Sequence, residues 1–443
     1  MVRIRVLVVD DSAVVRKILC DTLAGDPTFE VVGTAADGKL GLDQVEALKP
    51  DVVTLDIEMP VMDGVETARE IHQRWPRLPV IMFSTLSQRG ATATLEALGA
   101  GAVDYVTKPT NSASLQDAMQ SLREDLFAKL KLHGGRVASA RESAAAPVAA
   151  PAVRPVAPSA PSAPAAESRD QRTGWRSPVE PAWDASQRQS FRERLARLTP
   201  SSPAPRPATP PEPTPSLLAP RPPAVPASSP AVKPRARLLP GEAPEIVVIG
   251  VSTGGPPALN VVLPALPASF PVPILIVQHM PPLFTRLLAQ QLATKCQIKV
   301  VEAAAGMVLE PGVACIAPGD FHMVVEKFGT QHRIALNQDA PENSCRPAVD
   351  PLFRSAARCF GRRVLGVVLT GMGSDGLKGG QAIKEAGGLV VAQDEKSSVV
   401  WGMPGFVVSK GVADSVLPLA QVAAELRCRV PSRVLPSKVP VIR

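Results

Sequence analysis

Hydrophobic positions in the amino-terminal part of the chain recur with two alternating periods. Four short apolar or β-branched runs are typical of strands, and they lie at residues 5–9, 52–55, 79–83 and 104–107. The segments between them carry apolar residues three and four positions apart, which predicts helices, for example at 14–23 and 65–75. Strands and helices that alternate at this spacing predict a doubly wound parallel sheet, with functional residues at the carboxyl ends of its strands.

The same alternation returns in the carboxyl-terminal part. Apolar runs typical of buried strands lie at 246–249, 273–277, 364–369 and 388–392, and helical patterns lie at 283–292 and 377–386. Shorter strand-like pieces, such as 314–317 and 322–325, are broken by Gly, Pro and Asp, which predicts hairpin pairing there. We therefore expect a second α/β domain, Rossmann-like, with a mostly parallel sheet.

A long segment between these two parts lacks both periods. The 24 prolines from Pro147 to Pro244 are half of the 48 in the chain, so this composition predicts a disordered linker that cannot bury enough apolar surface to fold. Before it, leucines at helical spacing predict a closing helix at 112–132, which Gly134-Gly135 would end. The predicted units are a first domain at 1–133, a Pro/Ala-rich linker at 134–243, a second domain at 244–430 and a flexible tail at 431–443.

Charge and cysteine content exclude several classes of protein. The net charge is +7, but 15 Lys and Arg against 8 Asp and Glu lie between His133 and Pro244, so the predicted domains are close to neutral. A nucleic-acid-binding domain is therefore not indicated. The six cysteines show no CxxC spacing and give no sign of a zinc site or a disulfide framework. No apolar run approaches the roughly 18 residues that span a bilayer, and no signal peptide begins the chain, so we expect a cytoplasmic protein without membrane insertion.

Polar residues follow the predicted strands of the first domain, namely Asp10, Asp11, Asp56, Ser84 and Lys108. Three carboxylates brought together repel one another unless a divalent cation joins them, and all-oxygen ligation suits Mg²⁺. A hydroxyl and a lysine at the same point suit the oxygens of a phosphoryl group on a carboxylate. An aspartate after a strand is often only a helix cap, but five such residues at successive strand ends favour a phosphorylation site.

Residues 1–125 resemble the receiver domain of bacterial response regulators. The motifs that carry the resemblance are Val8-Val9-Asp10-Asp11-Ser12, Asp56-Ile57-Glu58-Met59-Pro60-Val61-Met62-Asp63-Gly64 and Thr107-Lys108-Pro109. The resemblance implies a flavodoxin-like fold, Asp56 as the phosphoacceptor and a histidine kinase as the phosphodonor. It implies that the Mg²⁺ ligands are Asp10, Asp11, Asp56 and the backbone carbonyl of Glu58. It also implies that Ser84 and Lys108 contact the phosphate and that Tyr105 is the switch aromatic.

A serine lies on a glycine-rich turn directly after the first strand of the second domain. Gly250-x-Ser252-x-Gly254 matches the strand-to-helix turn that holds the nucleophile of serine hydrolases. It also half-matches a dinucleotide-binding turn, but no Asp or Glu lies between Glu245 and Glu302 to bind a ribose. A glycine turn with an ordinary surface serine is the remaining alternative for this motif alone.

Two further residues favour the hydrolase alternative. His279 and Asp375 also follow apolar strands, and the carboxyl ends of parallel strands share one edge of a sheet. A histidine can take the proton of a serine hydroxyl, and an aspartate can orient the imidazole. His322 and His332 are weaker candidates for the base, because both fall in the predicted hairpin region.

Residues 245–425 resemble the catalytic domain of chemotaxis protein-glutamate methylesterases, the CheB family. The main motifs are Ile249-Gly250-Val251-Ser252-Thr253-Gly254-Gly255, Gln278-His279-Met280-Pro281-Pro282, Ile316-Ala317-Pro318-Gly319-Asp320-Phe321-His322 and Leu369-Thr370-Gly371-Met372-Gly373-Ser374-Asp375-Gly376. The resemblance implies hydrolysis of γ-glutamyl methyl esters on methyl-accepting chemoreceptors, and deamidation of receptor glutamines. It implies Ser252 as the nucleophile, His279 as the base and Asp375 as the acid that orients the base. It also implies the Met372 backbone N–H as the oxyanion donor, and Thr253 and Arg346 as residues that line the substrate cleft.

The two resemblances together predict a phosphorylation-activated methylesterase that acts in chemotactic adaptation. We expect a monomer with Mg²⁺ in the receiver domain and no cofactor in the catalytic domain. A receptor adaptor that is gated by phosphorylation and carries an idle triad is the alternative from a different class. A transcription factor is a third possibility, but no helix-turn-helix pattern follows the receiver.

Overall fold

In the computed structural model, which describes residues 2–85, 87–108, 115–145 and 243–430, a parallel sheet lies at the centre of each predicted domain. The amino-terminal sheet has five strands in the order β2-β1-β3-β4-β5. The strands are β1 Ile4–Val9, β2 Phe29–Ala35, β3 Val52–Asp56, β4 Val80–Ser84 and β5 Asp104–Thr107. The helices are α1 Ala13–Ala24, α2 Gly38–Leu48, α3 Gly64–Arg74, α4 Gln88–Ala100 and α5 Leu115–Ala145. This strand order confirms the predicted doubly wound, flavodoxin-like fold.

Helix α5 runs further than the sequence pattern predicts. Gly134 lies inside the helix rather than at its end. A Cβ at this position would lie only 2.5 Å from Ile4 Cγ2 and 3.0 Å from Val52 Cγ1. The glycine thus lets the helix pack closely on β1 and β3. Further along, Arg141 forms an ion pair with the buried Asp51, with 2.9 Å between Nη1 and Oδ2. The closing helix therefore extends through residue 145, beyond the end predicted for it at Gly134-Gly135.

The carboxyl-terminal sheet has seven strands in the order β14-β13-β12-β6-β7-β9-β8, and all of its neighbours pair in parallel. The strands are β6 Ile246–Val251, β7 Ile274–Gln278, β8 Lys299–Glu302, β9 Val313–Ile316, β12 Val364–Val368, β13 Leu389–Gln393 and β14 Ser415–Leu417. The helices are α6 Gly255–Val262, α7 Pro282–Ala293, α8 Val349–Phe360, α9 Leu377–Glu385, α10 Met403–Ser409 and α11 Leu419–Arg429, with a 3₁₀ turn at Gly361–Arg363. The second α/β domain of the prediction is confirmed.

The predicted hairpin exists, but with other partners than the sequence suggests. It joins β10 His322–Phe328 to β11 Gln331–Asn337 as an antiparallel pair. Strand β9, whose residues the pattern placed in the hairpin region, instead pairs in parallel with β7 and β8. Its side chains are buried on both sides of the main sheet, which explains its apolar sequence.

Two features of the packing place the functional residues. The central strands β12, β6 and β7 are neighbours, so their carboxyl ends meet at one edge of the sheet. Helix α4 of the receiver packs against α6 and α7, which begin at that same edge. Residues 146–242 of the linker predicted at 134–243, and the tail predicted at 431–443, lie outside the described residues. Among the described helices, none combines the length and apolar character that crossing a membrane requires.

Candidate active site

The Ser252 turn is built from glycines that let other groups approach closely. Gly254 caps α6 with φ of 76°, in the left-handed region that favours glycine. A Cβ on Gly255 would lie 1.8 Å from the side-chain oxygen of the buried Gln278. The Gln278 amide in turn donates to the Ser252 carbonyl at 3.0 Å, while the Ser252 N–H donates to the Thr370 carbonyl at 3.0 Å. The serine is therefore held between the ends of β7 and β12, beside a helix amino terminus.

The side chains of His279 and Asp375 are in direct contact. The ring nitrogen Nε2 lies 2.8 Å from Asp375 Oδ2. The Asp375 carboxylate is buried and accepts four more hydrogen bonds, from the backbone of Val349, Asp350 and Gly376 and from the Asn343 amide. Burial alone would raise the pKa of Asp375, but the His279 ring and the backbone N–H groups of α8 outweigh it and hold that pKa below its usual range. Asp375 is therefore an ionised acceptor, and Nε2 carries the hydrogen that it receives.

A cysteine lies at the other nitrogen of the ring. Cys345 Sγ is 3.5 Å from His279 Nδ1. Because Nε2 donates to Asp375, Nδ1 has no hydrogen in the neutral ring, and in the imidazolium it carries one that it donates to Cys345 Sγ. Burial alone would lower the pKa of His279, but its hydrogen bonds with Asp375 and Cys345 outweigh burial and raise that pKa to about 9.

Ser252 completes the group by position rather than by a hydrogen bond. In the described part of the chain, the hydrogen-bond partners of the His279 ring are Asp375 and Cys345. Nδ1 is the nitrogen with a free lone pair, so it is the atom that would take the Ser252 proton. Two members of the predicted triad are thus joined directly, and the third lies on the neighbouring strand end.

The turn after β12 lies against the nucleophile. A Cβ on Gly371 would be 2.8 Å from the Ser252 Cβ, so only glycine allows this approach. The backbone N–H of Met372 follows directly and makes no hydrogen bond within the described residues. This position suits the predicted oxyanion donor. The Thr370 hydroxyl donates to the Thr253 carbonyl at 2.9 Å and ties the two turns together.

A cavity of about 600 Å³ opens onto the His279 ring. Arg346 lines it, and its guanidinium is held by the Asp320 carboxylate and by the backbone carbonyls of Gln338 and Asp339. The other wall comes from the receiver and includes Tyr105, Thr107, Asp125 and Lys129. The receiver therefore forms one wall of the cavity at His279.

The two weaker histidine candidates are occupied elsewhere. His322 is buried at the start of β10, where Nδ1 accepts from the Ala348 N–H at 3.2 Å and Nε2 lies 3.2 Å from the Ala340 carbonyl. The His332 ring packs on Phe360 with 4.2 Å between ring centroids. Neither ring is bonded to Ser252 or Asp375, so His279 is the candidate base.

The receiver residues also converge. Ligand oxygens of Asp10, Asp11 and Asp56 all lie within 4.8 Å of one another. Lys108 Nζ lies 2.8 Å from Asp56 Oδ1 and 3.1 Å from Asp10 Oδ2. Burial and the charge of Asp10 raise the pKa of Asp56, against the opposing effect of Lys108. Three carboxylates with a single lysine leave net negative charge, which fits a divalent cation such as Mg²⁺.

The two predicted switch residues are engaged on different sides of the receiver. The buried Ser84 hydroxyl lies 3.2 Å from the Gly90 carbonyl and accepts from the Thr94 hydroxyl at 2.7 Å, so it faces α4. The Tyr105 ring stacks on Phe284 of α7. Tyr105 is therefore part of the contact with the catalytic domain. The Glu58 side chain pairs with Arg89, and its predicted carbonyl ligand role stays a prediction.

Comparison with known proteins agrees with this geometry. Residues 247–426 match the family model of the CheB methylesterase, and residues 6–120 match that of the response regulator receiver domain. A protein-glutamate methylesterase/protein-glutamine glutaminase of Trichodesmium erythraeum is 40% identical over 430 residues, covering 97% of this chain and 100% of the relative. The chain belongs to this family.

The chain is also similar to a second relative of this family and to one solved structure. A member from a Nocardioides species is 43% identical over 437 residues, which cover 99% of this chain and 98% of the relative. The crystal structure of the Thermotoga maritima CheB methylesterase catalytic domain shares 43% sequence identity. It covers 42% of this chain and 97% of that chain, with a TM-score of 0.41.

Four polar residues of the site do not follow from the sequence pattern. They are Asn343, Cys345, Asp350 and Thr370, and each contacts either a triad member or the nucleophile turn. The first three lie in the loop and helix start between β11 and β12, where neither strand nor helix periodicity marks a functional edge. Thr370 stood within a quoted motif, but nothing in that motif shows that its hydroxyl reaches Thr253.

Proposed function

We propose that this chain is a receiver-regulated protein-glutamate methylesterase and protein-glutamine glutaminase, with Ser252 as the nucleophile. The observation that carries the proposal is the hydrogen bond from His279 to Asp375 beside the Ser252 turn. The acid orients the ring and stabilises the imidazolium form, which leaves Nδ1 as the proton acceptor. Ser252 lies at an adjacent strand end, where α6 begins and its dipole favours negative charge.

The acylation step follows from these positions. The Ser252 oxygen attacks the carbonyl carbon of a γ-glutamyl methyl ester while His279 takes the hydroxyl proton. The Met372 N–H donates to the oxyanion of the tetrahedral intermediate. The intermediate collapses with cleavage of the bond to the methoxy oxygen, which leaves as methanol with the proton from His279. With a glutamine substrate the leaving group is ammonia.

Deacylation uses the same groups in reverse. Water attacks the glutamyl-serine ester, and His279 takes a proton from that water. The serine oxygen then leaves and recovers a proton from the imidazolium, which frees a glutamate side chain.

Methanol release from a methylated chemoreceptor fragment tests this proposal. Ser252→Ala in the full chain should lower the rate at least a thousandfold, since loss of a triad nucleophile removes the covalent path. Ser409→Ala is a matched control, because its exposed hydroxyl bonds only within α10, to the Phe406 carbonyl. Equal methanol release by Ser252→Ala and the control would contradict the proposal. A wild-type chain that binds receptor but releases no methanol would instead indicate an adaptor with an idle triad.

Regulation by the receiver is the second part of the proposal. The receiver implies a histidine kinase as phosphodonor, and the catalytic domain implies chemoreceptor substrates. Tyr105, Asp125 and Lys129 form one wall of the cavity at His279. In this proposal, the unphosphorylated receiver keeps the receptor substrate away from the base. Phosphorylation of Asp56 would weaken this docking and open the cavity.

Mg²⁺ would be held by Asp10, Asp11 and Asp56, with the Glu58 carbonyl as a further proposed ligand. When bound, the cation neutralises phosphoryl oxygens and so favours transfer to Asp56. Lys108 already contacts Asp56 and supplies a second positive charge there. We further propose that the enzyme is a cytoplasmic monomer that needs no cofactor in its catalytic domain, and that it binds neither nucleic acid nor the membrane interior.

A further inference from the structure

Asp350 and Asp375 hold the amino termini of each other's helices. Asp375, just before α9, accepts from the first N–H groups of α8, Val349 at 2.6 Å and Asp350 at 3.0 Å. Asp350, in the first turn of α8, accepts in return from Gly376 at 3.0 Å and Gly379 at 2.7 Å, at the start of α9. Each carboxylate therefore lies where a helix dipole favours negative charge.

The Asn343 side chain joins these two carboxylates. Its amide nitrogen donates to Asp375 Oδ1 at 2.9 Å and to Asp350 Oδ2 at 3.2 Å. The Asn343 backbone has φ of 52°, in the left-handed region that asparagine adopts more readily than most residues. The bridge thus fixes the loop before α8 relative to the orienting acid.

Close packing of α8 on α9 shields this group from water. A Cβ on Gly379 would lie 2.5 Å from the Phe353 Cβ and 3.1 Å from the Asp350 Cα. Asp350 is consequently only 1% exposed. The guanidinium of the nearby Arg354 pairs with Glu342 rather than with Asp350. Within the described residues, the hydrogen-bond partners of the Asp350 carboxylate are three neutral N–H groups.

We infer that Asp350 is a positioning residue for the methylesterase reaction, which orients Asp375 through Asn343 and the start of α9 and adds a second negative charge behind the His279–Asp375 pair. The inference rests on the proposed roles of Ser252, His279 and Asp375. Asp350 acts on the base only through Asp375, because its own carboxylate bonds to Asn343, Gly376 and Gly379.

The charge of Asp350 gives this role a pH signature. Burial raises the pKa of Asp350 and so does the charge of Asp375, whereas the Gly379 N–H and the Asn343 amide oppose the rise. The three N–H groups that donate to the Asp350 carboxylate favour its ionised form. A negative charge nearby favours the protonated ring, so its removal lowers the pH at which the base becomes free.

Other charged or titratable groups also face the base, and all of them stay unchanged in the experiment. They are Asp375 and Cys345 in contact with the ring, Arg354 and Glu342 beside Asp350, and Asp125, Lys129, Asp320 and Arg346 around the cavity.

The experiment measures the pH profiles of kcat and kcat/KM for full-length Asp350→Asn on a methylated chemoreceptor fragment. We expect kcat to fall roughly tenfold, as is usual when a group that orients a reacting residue is lost, with KM within about twofold. The acid limb of kcat/KM should move to lower pH by about half a unit or more, because a charge is lost. Asn343→Gly keeps both carboxylates and suits the positive φ, so it should lower kcat without lowering the midpoint of that limb.

Asp414→Asn is the matched control, because Asp414 is a carboxylate that accepts from the Val390 N–H and pairs with Lys384, away from the triad. A control or variant that only destabilises the fold lowers the active fraction and leaves the midpoint in place. An Asp350→Asn profile with an unmoved midpoint would overturn the inference, as would unchanged kcat in both variants. If Asp350→Asn does not fold, Asn343→Gly decides, and unchanged kcat there overturns it. Activity in Ser252→Ala would instead contradict the proposed function itself.

Discussion

The Tyr105 ring of the receiver stacks on the Phe284 ring of the catalytic domain, with 4.8 Å between centroids and 12° between planes. Phe284 lies in the first turn of α7, which begins just after His279, and it is fully buried. Burial raises the pKa of the Tyr105 hydroxyl far above its usual value. The predicted switch aromatic of the receiver is thus placed directly on the helix that borders the base.

Loss of this stack should release the catalytic domain. Tyr105→Ala is expected to raise the methanol release of the unphosphorylated enzyme by roughly two- to tenfold. This range follows from the about 0.5–1.5 kcal/mol that an aromatic pair contributes beyond its buried area. Tyr105→Phe keeps the ring and should keep the low basal rate. Equal basal rates for the alanine variant and the wild type would show that the stack does not hold the receiver on the active site.

Phosphorylation should act through Asp56 alone. Asp56→Asn is expected to retain the basal rate and to lose all stimulation by a small-molecule phosphodonor, since its amide cannot accept the phosphoryl group that Lys108 and the acidic cluster surround. Asp63→Asn is a suitable control from the same loop, because Asp63 caps α3 and asparagine caps equally well. The measurement compares methanol release with and without phosphodonor. Stimulation of Asp56→Asn would place the switch elsewhere.

The sequence predicts the fold well where a strand is buried on both faces. Strands such as Ile246–Val251 and Val364–Val368 are continuous apolar runs whose residues are all buried, so periodicity and burial agree. Strand Phe29–Ala35 was not predicted, because it lies at a sheet edge, contains Gly33 and alternates only weakly. The end of α5 was misjudged because Gly134 serves packing against Ile4 and Val52, a contact that no local pattern contains.

The candidate site divides in a similar way. Ser252, His279 and Asp375 are predictable because each follows an apolar strand, and strand ends share an edge. Asp350 lies in the first turn of α8, where its sequence position does not distinguish it from any other acidic residue at a helix amino terminus. Its role depends on contact with Gly376 and Gly379, which are distant in sequence and reach it through the packing of α8 on α9.

The Thr370 hydroxyl should be required for the geometry of the nucleophile turn. It donates to the Thr253 carbonyl at 2.9 Å and accepts from the Val400 N–H at 3.0 Å, while fully buried. Thr370→Val keeps the volume but leaves both groups unpaired, which costs about 1–3 kcal/mol of unfolding free energy. We expect kcat to fall at least tenfold with little change in KM, because the turn shifts relative to Met372.

Thr285→Val separates stability from catalysis in this experiment. Its hydroxyl is equally buried and bonds Glu302 and Gly319, but not the nucleophile turn. Denaturant unfolding should show a similar loss of stability in both variants. A kcat loss of the same size in Thr285→Val would mean that reduced stability alone explains the effect of Thr370→Val.

The methylesterase should gain activity with rising pH through the titration of His279. The ring acts as a base only when neutral, and its pKa is raised to about 9 by Asp375 and Cys345 against the effect of burial. Cys345→Ala removes one of the two partners that raise this pKa. The acid limb of kcat/KM should therefore move to lower pH, which increases the neutral fraction of His279 at pH 7.

Cys359→Ala is the matched control, since its thiol bonds the Val325 carbonyl far from the base. Both variants are compared in the unphosphorylated and the phosphorylated enzyme, because the cavity wall at His279 comes partly from the receiver. If Cys345 holds the ring, its removal lowers the midpoint in both states, while Cys359→Ala leaves it in place. If the midpoint of the acid limb moves only on phosphorylation, the raised pKa of His279 would result from the presence of the receiver at the cavity. The contact of Cys345 with Nδ1 would then have no effect on that pKa.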